Sequence, residues 1–170
     1  MLGIYFGSCN GNTESVAEKL HAHLASTSLP PTSILQADLG QLNACSHLLL
    51  GISTWHTGEL QEDWEGRWHE LGDVQWSGKK IALFGCGDQH GYTDTFQDAM
   101  GELYRYLYDK GAHIYGYTST EGYRVSATSK AIVNGWWCGL AVDEDNQAEL
   151  TDGRIAAWVA ALRTDFFAGA

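Results

Sequence analysis

The chain has 170 residues, of which 44% are hydrophobic and 18% are charged, so it is long enough to bury a core and too apolar for a disordered protein. Its formal net charge of −11 argues against a nucleic-acid partner, because phosphate backbones are bound by clustered lysine and arginine. The same charge favours protein partners that present a basic docking face. We predict a single domain over residues 1–170.

The cysteines and the first residues of the chain indicate the cellular compartment of the protein. Four cysteines occur without CxxC spacing, which favours reduced thiols over a disulfide framework or a metal site. No segment approaches the roughly 20 apolar residues of a membrane helix. The first residues lack the basic region of a signal peptide. We therefore expect a cytoplasmic protein with no membrane insertion and no metal.

Short apolar runs alternate along the chain with segments of helical period. The predicted strands, in chain order, are Leu2–Phe6, a weak Ile34–Leu35, Leu48–Ile52, Ile81–Phe84, Ile114–Tyr117 and a further short one at Leu140–Val142. The predicted helices carry Val16 to Leu24, cover Glu62–Leu71, and carry apolar stripes from Phe96 to Leu107 and from Ile155 to Phe166.

Continuous apolar strands separated by amphipathic helices indicate a parallel sheet that is covered on both faces. The predicted fold class is therefore α/β, with a doubly wound five-stranded parallel sheet in a three-layer α/β/α sandwich. Residues 118–138 show no clear periodicity. We interpret them as an insertion between two pieces of the last strand.

Ligands of such sheets bind beyond the carboxyl ends of the strands, at a point where the strand order reverses. Three polar loops follow predicted strands one, three and four, at residues 8–13, 53–59 and 85–92. The first loop offers hydroxyls and amides, and it opens a helix whose first N–H groups favour an anion. It has no lysine or arginine and matches neither the P-loop nor the GxGxxG pattern. A plain helix cap by Asn12 or Thr13 is the alternative.

Each of the other two loops carries an aromatic residue, Trp55 in one and Tyr92 in the other. A lone aromatic residue in a loop usually packs against the protein. Two of them on neighbouring loops, beside a loop of phosphate-binding type, favour a flat ring stacked between them.

At this point the sequence resembles the flavodoxin family of the long-chain type, over essentially its whole length. The segment "FGSCNGNTE" resembles the phosphate loop of that family, "STWHTGELQEDWE" its first flavin loop, and "ALFGCGDQHGYTDTFQDAMGELY" its second. The segment "STEGYRVSATSKAIVNGWWCGLAVDEDNQ" is similar to the long-chain insertion and the start of the final strand pair.

The resemblance implies non-covalently bound FMN and a carrier of single electrons rather than an enzyme. The expected phosphate-binding residues are Ser8, Asn10, Gly11, Asn12 and Thr13, with the backbone of Cys9. Asn10 stands where the family usually has threonine, and Asn12 stands where relatives often carry lysine.

The resemblance also assigns residues to the rest of the cofactor. Thr54 is expected at the ribityl or phosphate end, and Trp55 and Tyr92 on the two faces of the flavin ring. The pyrimidine edge and N5 are expected to meet His56, Thr57 and the backbone of Cys86, Gly87 and Asp88. Gly58, Thr95, Gln97 and Asp98 complete the expected cofactor-binding residues.

In relatives, the peptide after the tryptophan turns over on reduction so that its carbonyl accepts from the flavin N5–H. The corresponding peptide here, His56–Thr57, contains no glycine, so we expect only moderate stabilisation of the flavin that carries one extra electron. His56 itself either makes the potential depend on pH near neutrality or is a solvated loop residue.

Acidic residues surround the predicted flavin loops. They either lower the reduction potential or form a solubilising surface, and they are Glu59, Glu62, Asp63, Asp88, Asp94, Asp98, Asp143, Glu144 and Asp145. Trp136 and Trp137, in the insertion, either pack it against the sheet or form a docking surface.

Two other functions remain open at this point. An FMN-dependent enzyme such as a quinone reductase would need one open flavin face, and a regulatory or maturation module for one enzyme is disfavoured only by the full-length resemblance. A phospho-receiver domain has the same topology, but this sequence lacks the acidic cluster that such a domain carries after its first strand. The resemblance implies redox partners, such as a flavodoxin reductase or photosystem and an acceptor enzyme, for a monomeric carrier.

Overall fold

The computed structural model describes residues 1–124 and 128–168. Its strands are β1 (Leu2–Phe6), β2 (Thr32–Ser33), β3 (His47–Trp55), β4 (Glu59–Leu60), β5 (Lys80–Cys86), β6 (His113–Tyr115), β7 (Thr118–Ser119), β8 (Ile132–Val133), β9 (Trp136–Trp137) and β10 (Leu140–Val142). Its α-helices are α1 (Asn12–Leu24), α2 (Leu39–Ala44), α3 (Glu62–Arg67), α4 (Asp98–Asp109) and α5 (Ala148–Asp165), with 3₁₀ helices at Ile34–Gln36 and Trp68–Asp73.

The main sheet is parallel, with the order β2, β1, β3, β5 and then two short strands that lie end to end along the outer edge of β5. β6 pairs with residues 80–82 and β10 with residues 84–86, so together they form one interrupted fifth strand. The predicted doubly wound five-stranded sheet is confirmed. The predicted position of the insertion, between the two pieces of the last strand, is confirmed as well.

Two apolar cores lie on opposite faces of the sheet. In β3, Leu48 and Leu50 pack into the core under α4, whereas Leu49 between them packs into the core under α1 and α5. Both sets are fully buried. A strand that is buried on both faces has no polar alternation, which is why the sequence shows a continuous apolar run there.

The insertion folds as a small antiparallel sheet in the order β7, β9, β8. Trp137 is fully buried and makes edge-to-face contacts with Phe96 and Tyr123, whereas Trp136 is 52% exposed. Trp137 therefore packs the insertion, as the first alternative predicted, whereas Trp136 faces solvent and its role in a docking surface stays a prediction. Each strand has only two residues, which is too short to produce a readable period.

The predicted second strand, at Ile34–Leu35, is wrong. The strand is Thr32–Ser33, and the Ser33 hydroxyl accepts from Leu35 N to begin a 3₁₀ helix. Ile34 is nevertheless fully buried, so its apolar character reports burial rather than a strand.

Other predicted bounds also shift. The helix predicted over Glu62–Leu71 ends as an α-helix at Arg67 and continues as a 3₁₀ helix. Helix α2 was not predicted because it has only six residues. The strand predicted over Ile114–Tyr117 ends at Tyr115, because Gly116 has a φ of +77° and its carbonyl accepts from Trp158 Nε1.

All four cysteines lie in the described residues and carry free thiols, three of them buried and Cys9 exposed. Over residues 1–124 and 128–168, no helix is both long enough and apolar enough to cross a membrane.

The packing of α4 against the insertion predicts opposite effects for two helical glycines. A Cβ at Gly101 would overlap the backbone of Lys130 and Ala131, whereas a Cβ at Gly153 in α5 meets open space. We expect Gly101→Ala to lower the free energy of unfolding by about 1–3 kcal/mol through overpacking. The control Gly153→Ala should raise it by about 0.5–1 kcal/mol because alanine favours a helix. Urea unfolding measures both, and a Gly101→Ala protein as stable as wild type would contradict this packing.

Candidate functional site

The three predicted loops leave the sheet at one edge. β3 pairs in parallel with both β1 and β5, with Phe6 opposite Gly51 and Ser53 opposite Cys86, so the strand ends lie side by side. A cavity of about 300 Å³ opens between the loops. It is lined by Asn10, Asn12, Ser53, Thr54, Trp55, His56, Cys86, Gly87, Asp88, Tyr92 and Asp145.

The first loop leaves the start of α1 without a side-chain cap. Gly11 is the residue at the capping position, with a φ of +86°, and as a glycine it has no side chain that could accept from the first helical N–H groups. The Ser8 hydroxyl instead accepts from Gly11 N at 3.0 Å, and Asn10 Oδ1 accepts from Asn12 N at 3.2 Å. The alternative that Asn12 or Thr13 serves as a plain helix cap is therefore wrong. The loop presents the positive end of the helix dipole to the cavity edge.

Thr13, in the first turn of α1, carries an unusual hydroxyl and is not among the residues that line the cavity. The residue is fully buried, and its Oγ1 makes no hydrogen bond of standard geometry to the described residues, although it lies beside the Cys86 thiol. A buried hydroxyl without a partner is costly, so this atom is a candidate donor to a bound group.

The second loop is the tight turn between β3 and β4. His56 has a φ of +45° and Gly58 a φ of +86°, and a Cβ at Gly58 would come within 2.9 Å of Asp98 Oδ2. Glycine is therefore required at position 58. Trp55 Nε1 donates to Ser53 Oγ at 2.9 Å, which fixes the orientation of the indole at the cavity, and Thr57 is exposed at the tip of the turn.

The third loop is organised by the Asp88 carboxylate. It accepts from Gly91 N at 2.8 Å, from His90 N at 3.0 Å and from Asn146 Nδ2 at 2.8 Å. These donors, Gly91 first, hold the pKa of Asp88 below its ordinary value. Tyr92 N donates to the Asp88 carbonyl, and the Tyr92 ring is 44% exposed at the rim of the cavity.

Three of the predicted residues lie behind the cavity wall rather than on it. Gln97 is fully buried, and its Nε2 donates to the carbonyls of Gly85 and Val142 at 3.1 and 3.2 Å. Asp98 accepts from Lys130 N at 2.8 Å, and Thr95 packs beside Gly58. These contacts join α4 to the strand ends and to the second loop.

Two further predicted residues connect the loops to their surroundings. Thr54 Oγ1 accepts from Ala99 N at 3.1 Å, which ties the end of β3 to the first turn of α4. Cys9 points away from the cavity, because its thiol accepts from Gln61 Nε2 at 3.2 Å and donates to Glu62 at 3.5 Å.

The cavity is electrically neutral to negative. Its lining, as far as the structure describes it, contains no lysine or arginine and two carboxylates, Asp88 and Asp145. Burial, followed by repulsion from Asp88, raises the pKa of Asp145 above its ordinary value. Burial also raises the pKa of the Cys86 thiol to about 12, so that thiol is neutral. Asp98 and Asp143 are buried, which removes both from the predicted solubilising surface.

A larger groove, of about 870 Å³, runs along α4 beside the insertion and includes Trp68, Tyr104 and Lys130. Its lining includes none of the three loops, so it is separate from the sheet edge where the predicted site residues converge.

Comparison with known proteins decides between the families that share this topology. The family model described as flavodoxin matches residues 4–158. The chain belongs to the flavodoxin family. It is 46% identical over 165 residues to a flavodoxin of a Nostoc species, covering 97% of this chain and 96% of that protein. It is 40% identical over 157 residues to flavodoxin 1 of Escherichia coli, covering 92% and 89%.

The structural neighbours agree with this membership. A crystal structure of Fusobacterium nucleatum flavodoxin bound to flavin mononucleotide has a TM-score of 0.89, at 26% identity, and covers 96% of each chain. Flavodoxin membership accounts for the parallel sheet and for the convergence of three loops at one edge.

Sequence reasoning missed three residues at this flavodoxin-type edge as site residues. Ser53 lines the cavity as the residue before Thr54, Asp145 lines it from the loop after β10, and Asn146 bonds Asp88. The polar run that begins at Asp143 directly after an apolar strand was the available signal for the last two.

Asp98 predicts a pH-dependent stability. Burial raises its pKa above the ordinary 3.8, so the folded state binds a proton more readily than the unfolded state does. Stability from this group is therefore present at low pH and lost as pH rises through the raised pKa. An asparagine side chain at this position would keep the oxygen that accepts from Lys130 N but could not ionise.

We expect the stability of Asp98→Asn relative to wild type to increase from about pH 3.5 to about pH 7, measured by urea unfolding. The control Asp94→Asn, at a position outside the buried core, should show no such increase. A constant difference between Asp98→Asn and wild type would contradict the buried-carboxylate interpretation.

Proposed function

We propose that this chain is a low-potential single-electron carrier that binds FMN non-covalently in the cavity between the three loops. One observation carries the proposal: the uncapped start of α1 and the Trp55 and Tyr92 side chains meet at a single cavity. The FMN-bound flavodoxin of Fusobacterium nucleatum, which has the same fold, supports it. Bound FMN supplies a centre that accepts and releases electrons one at a time.

Residues 8–13 would hold the phosphate with neutral donors alone. The N–H groups of α1 that follow Asn12, the Asn10 and Asn12 side-chain amides and the Thr13 hydroxyl are available for a dianion. A helix start favours an anion by about 0.3–1 kcal/mol through its dipole, and each hydrogen bond to a charged group adds about 1.5–3 kcal/mol. The chain's residues therefore fit a phosphate group, although the described cavity lining carries no lysine or arginine.

The remaining predicted residues would position the ring. Trp55 and Tyr92 flank it, and Thr54 serves the ribityl or phosphate end. The backbone of residues 86–88, with His56 and Thr57, faces the pyrimidine edge and N5. Gly58, Thr95, Gln97 and Asp98 act from behind, because they fix the second and third loops against α4.

The carboxylates at the cavity would make the flavin hard to reduce. A unit charge at about 10 Å costs about 1.7 kcal/mol at an effective dielectric of about 20. For a one-electron couple this is a shift of about 70 mV. Asp88 and Asp145 both line the cavity, where no lysine or arginine of the described chain compensates them.

This carrier acts as an electron-transfer protein and not as an enzyme, since two rings that flank the flavin leave no face open to a nicotinamide or quinone. We further propose that it is a cytoplasmic monomer with one domain over residues 1–170. Its redox partners, a reductase or photosystem and an acceptor enzyme, would dock through basic faces onto its acidic surface.

A reductive titration tests the function. The protein reconstituted with FMN should be reduced in two separate one-electron steps at low potential, and it should not oxidise NAD(P)H with quinones unless a reductase is added. Steady NAD(P)H turnover without a reductase would contradict the carrier and favour the enzyme.

The neutral phosphate site predicts a selective effect of one added charge. Asn12→Asp keeps the shape of the side chain but places a carboxylate beside the phosphate. We expect the FMN dissociation constant to rise at least about tenfold, or about 1.4 kcal/mol, with riboflavin binding unchanged.

Quenching of flavin fluorescence measures both constants. Asn43→Asp is the matched control, because Asn43 Oδ1 accepts from Gln75 N far from the cavity and a carboxylate can do the same. Equal weakening of FMN and riboflavin by Asn12→Asp would contradict a phosphate site at this loop.

A further inference from the structure

A buried polar cluster adjoins the cavity at the end of β10. The Asp143 carboxylate is fully buried there. It accepts from Gln89 N at 3.2 Å and Gln89 Nε2 at 2.7 Å, and from Asn146 N at 3.1 Å and Asn146 Nδ2 at 3.0 Å. A buried carboxylate is tolerated only with such donors, so the cluster is constrained as a unit.

One amide in this cluster serves two carboxylates from different loops. Asn146 Nδ2 lies 2.8 Å from Asp88 Oδ1 and 3.0 Å from each oxygen of Asp143. A primary amide nitrogen carries two N–H donors, whereas an amide oxygen in its place would face only other acceptors. The contact therefore specifies an amide donor between the two acidic side chains.

The carboxylates of Asp143 and Asp88 differ in how firmly their surroundings fix them. Asp143 is anchored, because Gln89 is itself fully buried and its Oε1 accepts from Arg124 N at 2.6 Å. Asp88 is partly exposed and lines the cavity. The other groups that donate to its carboxylate, the backbone N–H groups of His90 and Gly91, belong to its own loop. Asn146 thus connects a fixed buried group to the carboxylate beside the cofactor cavity.

We propose that Asn146 is a positioning residue for electron transfer: its amide donates to the Asp88 carboxylate at the cavity wall and shields the charge of that carboxylate from the flavin. The reduction potential then depends on Asn146 through Asp88. This inference rests on the proposed function, because it requires a flavin in the cavity.

Asn146 acts on the flavin through the charge of Asp88. Without the amide, the carboxylates of Asp88 and Asp143 face each other with no donor between them. Two N–H dipoles that offset their charge are lost, while the donors from His90 and Gly91 keep Asp88 in place. The field at the cavity becomes more negative, and addition of the second electron becomes harder.

The test compares FMN-loaded wild type with Asn146→Ala, Asp88→Asn and the double variant, in a double-mutant cycle. We expect Asn146→Ala to shift the second one-electron potential negative by about 30 mV or more, a roughly threefold change at about 59 mV per tenfold. In the Asp88→Asn background the same substitution should produce less than half of that shift. Asn43→Ala is the control for a lost asparagine hydrogen bond, and it should leave the potential unchanged.

An unchanged potential in Asn146→Ala would overturn the proposal, and so would a full shift that persists in the Asp88→Asn background. If the alanine variant fails to fold, Asn146→Ser decides: its hydroxyl retains one donor, so a negative shift supports the proposal and a wild-type potential overturns it. If the wild-type protein binds no FMN, the proposed function is overturned instead. Quenching of flavin fluorescence measures this binding before any potential is measured.

Discussion

The parallel pairing of β3 with both of its neighbours is the constraint on which the site depends. β3 lies between β1 and β5, and its register with each brings three strand ends to one edge. Parallel neighbours need crossover helices, so each loop at this edge leads to a helix or a turn on one face of the sheet. The start of α1, the turn after Trp55 and the Asp88 loop are neighbours for this reason alone.

Two kinds of interaction act at that edge with opposite electrostatic tendencies. The start of α1 attracts an anion through its N–H groups, whereas Asp88 and Asp145 surround the other part of the cavity with negative charge. A site built in this way would hold a phosphate without a cation and would still oppose the addition of electrons to a nearby ring. In the proposed carrier, phosphate binding and a low reduction potential would therefore come from separate groups of atoms.

Sequence reasoning reached the fold because its main signals were local. The runs at Leu2–Phe6 and Leu140–Val142 are buried on both faces and match their strands. Ile34–Leu35 failed because burial without pairing looks the same in a sequence as a short strand. The 3₁₀ helix there begins with a hydrogen bond from Leu35 N to Ser33 Oγ. Such a bond gives a weaker signal in a sequence than a pattern of hydrophobic residues does.

The candidate site was predictable where function follows from position after a strand, as for Trp55 and Tyr92. It was not predictable where function follows from contacts across the chain. Gln97 looks like a loop residue, yet it is buried and bridges two strand ends. Asn146 meets Asp88 only because β10 returns beside β5 after the insertion, and no local signal encodes a contact 58 residues apart.

A crystal structure of the chain with bound FMN would locate the phosphate and the flavin ring. We expect the phosphate to lie within hydrogen-bond distance of the first N–H groups of α1 and of the Thr13 hydroxyl, with no lysine or arginine in contact. We also expect the flavin ring between Trp55 and Tyr92. A phosphate that is bound by a basic side chain, or a flavin in the groove along α4, would contradict the proposed site.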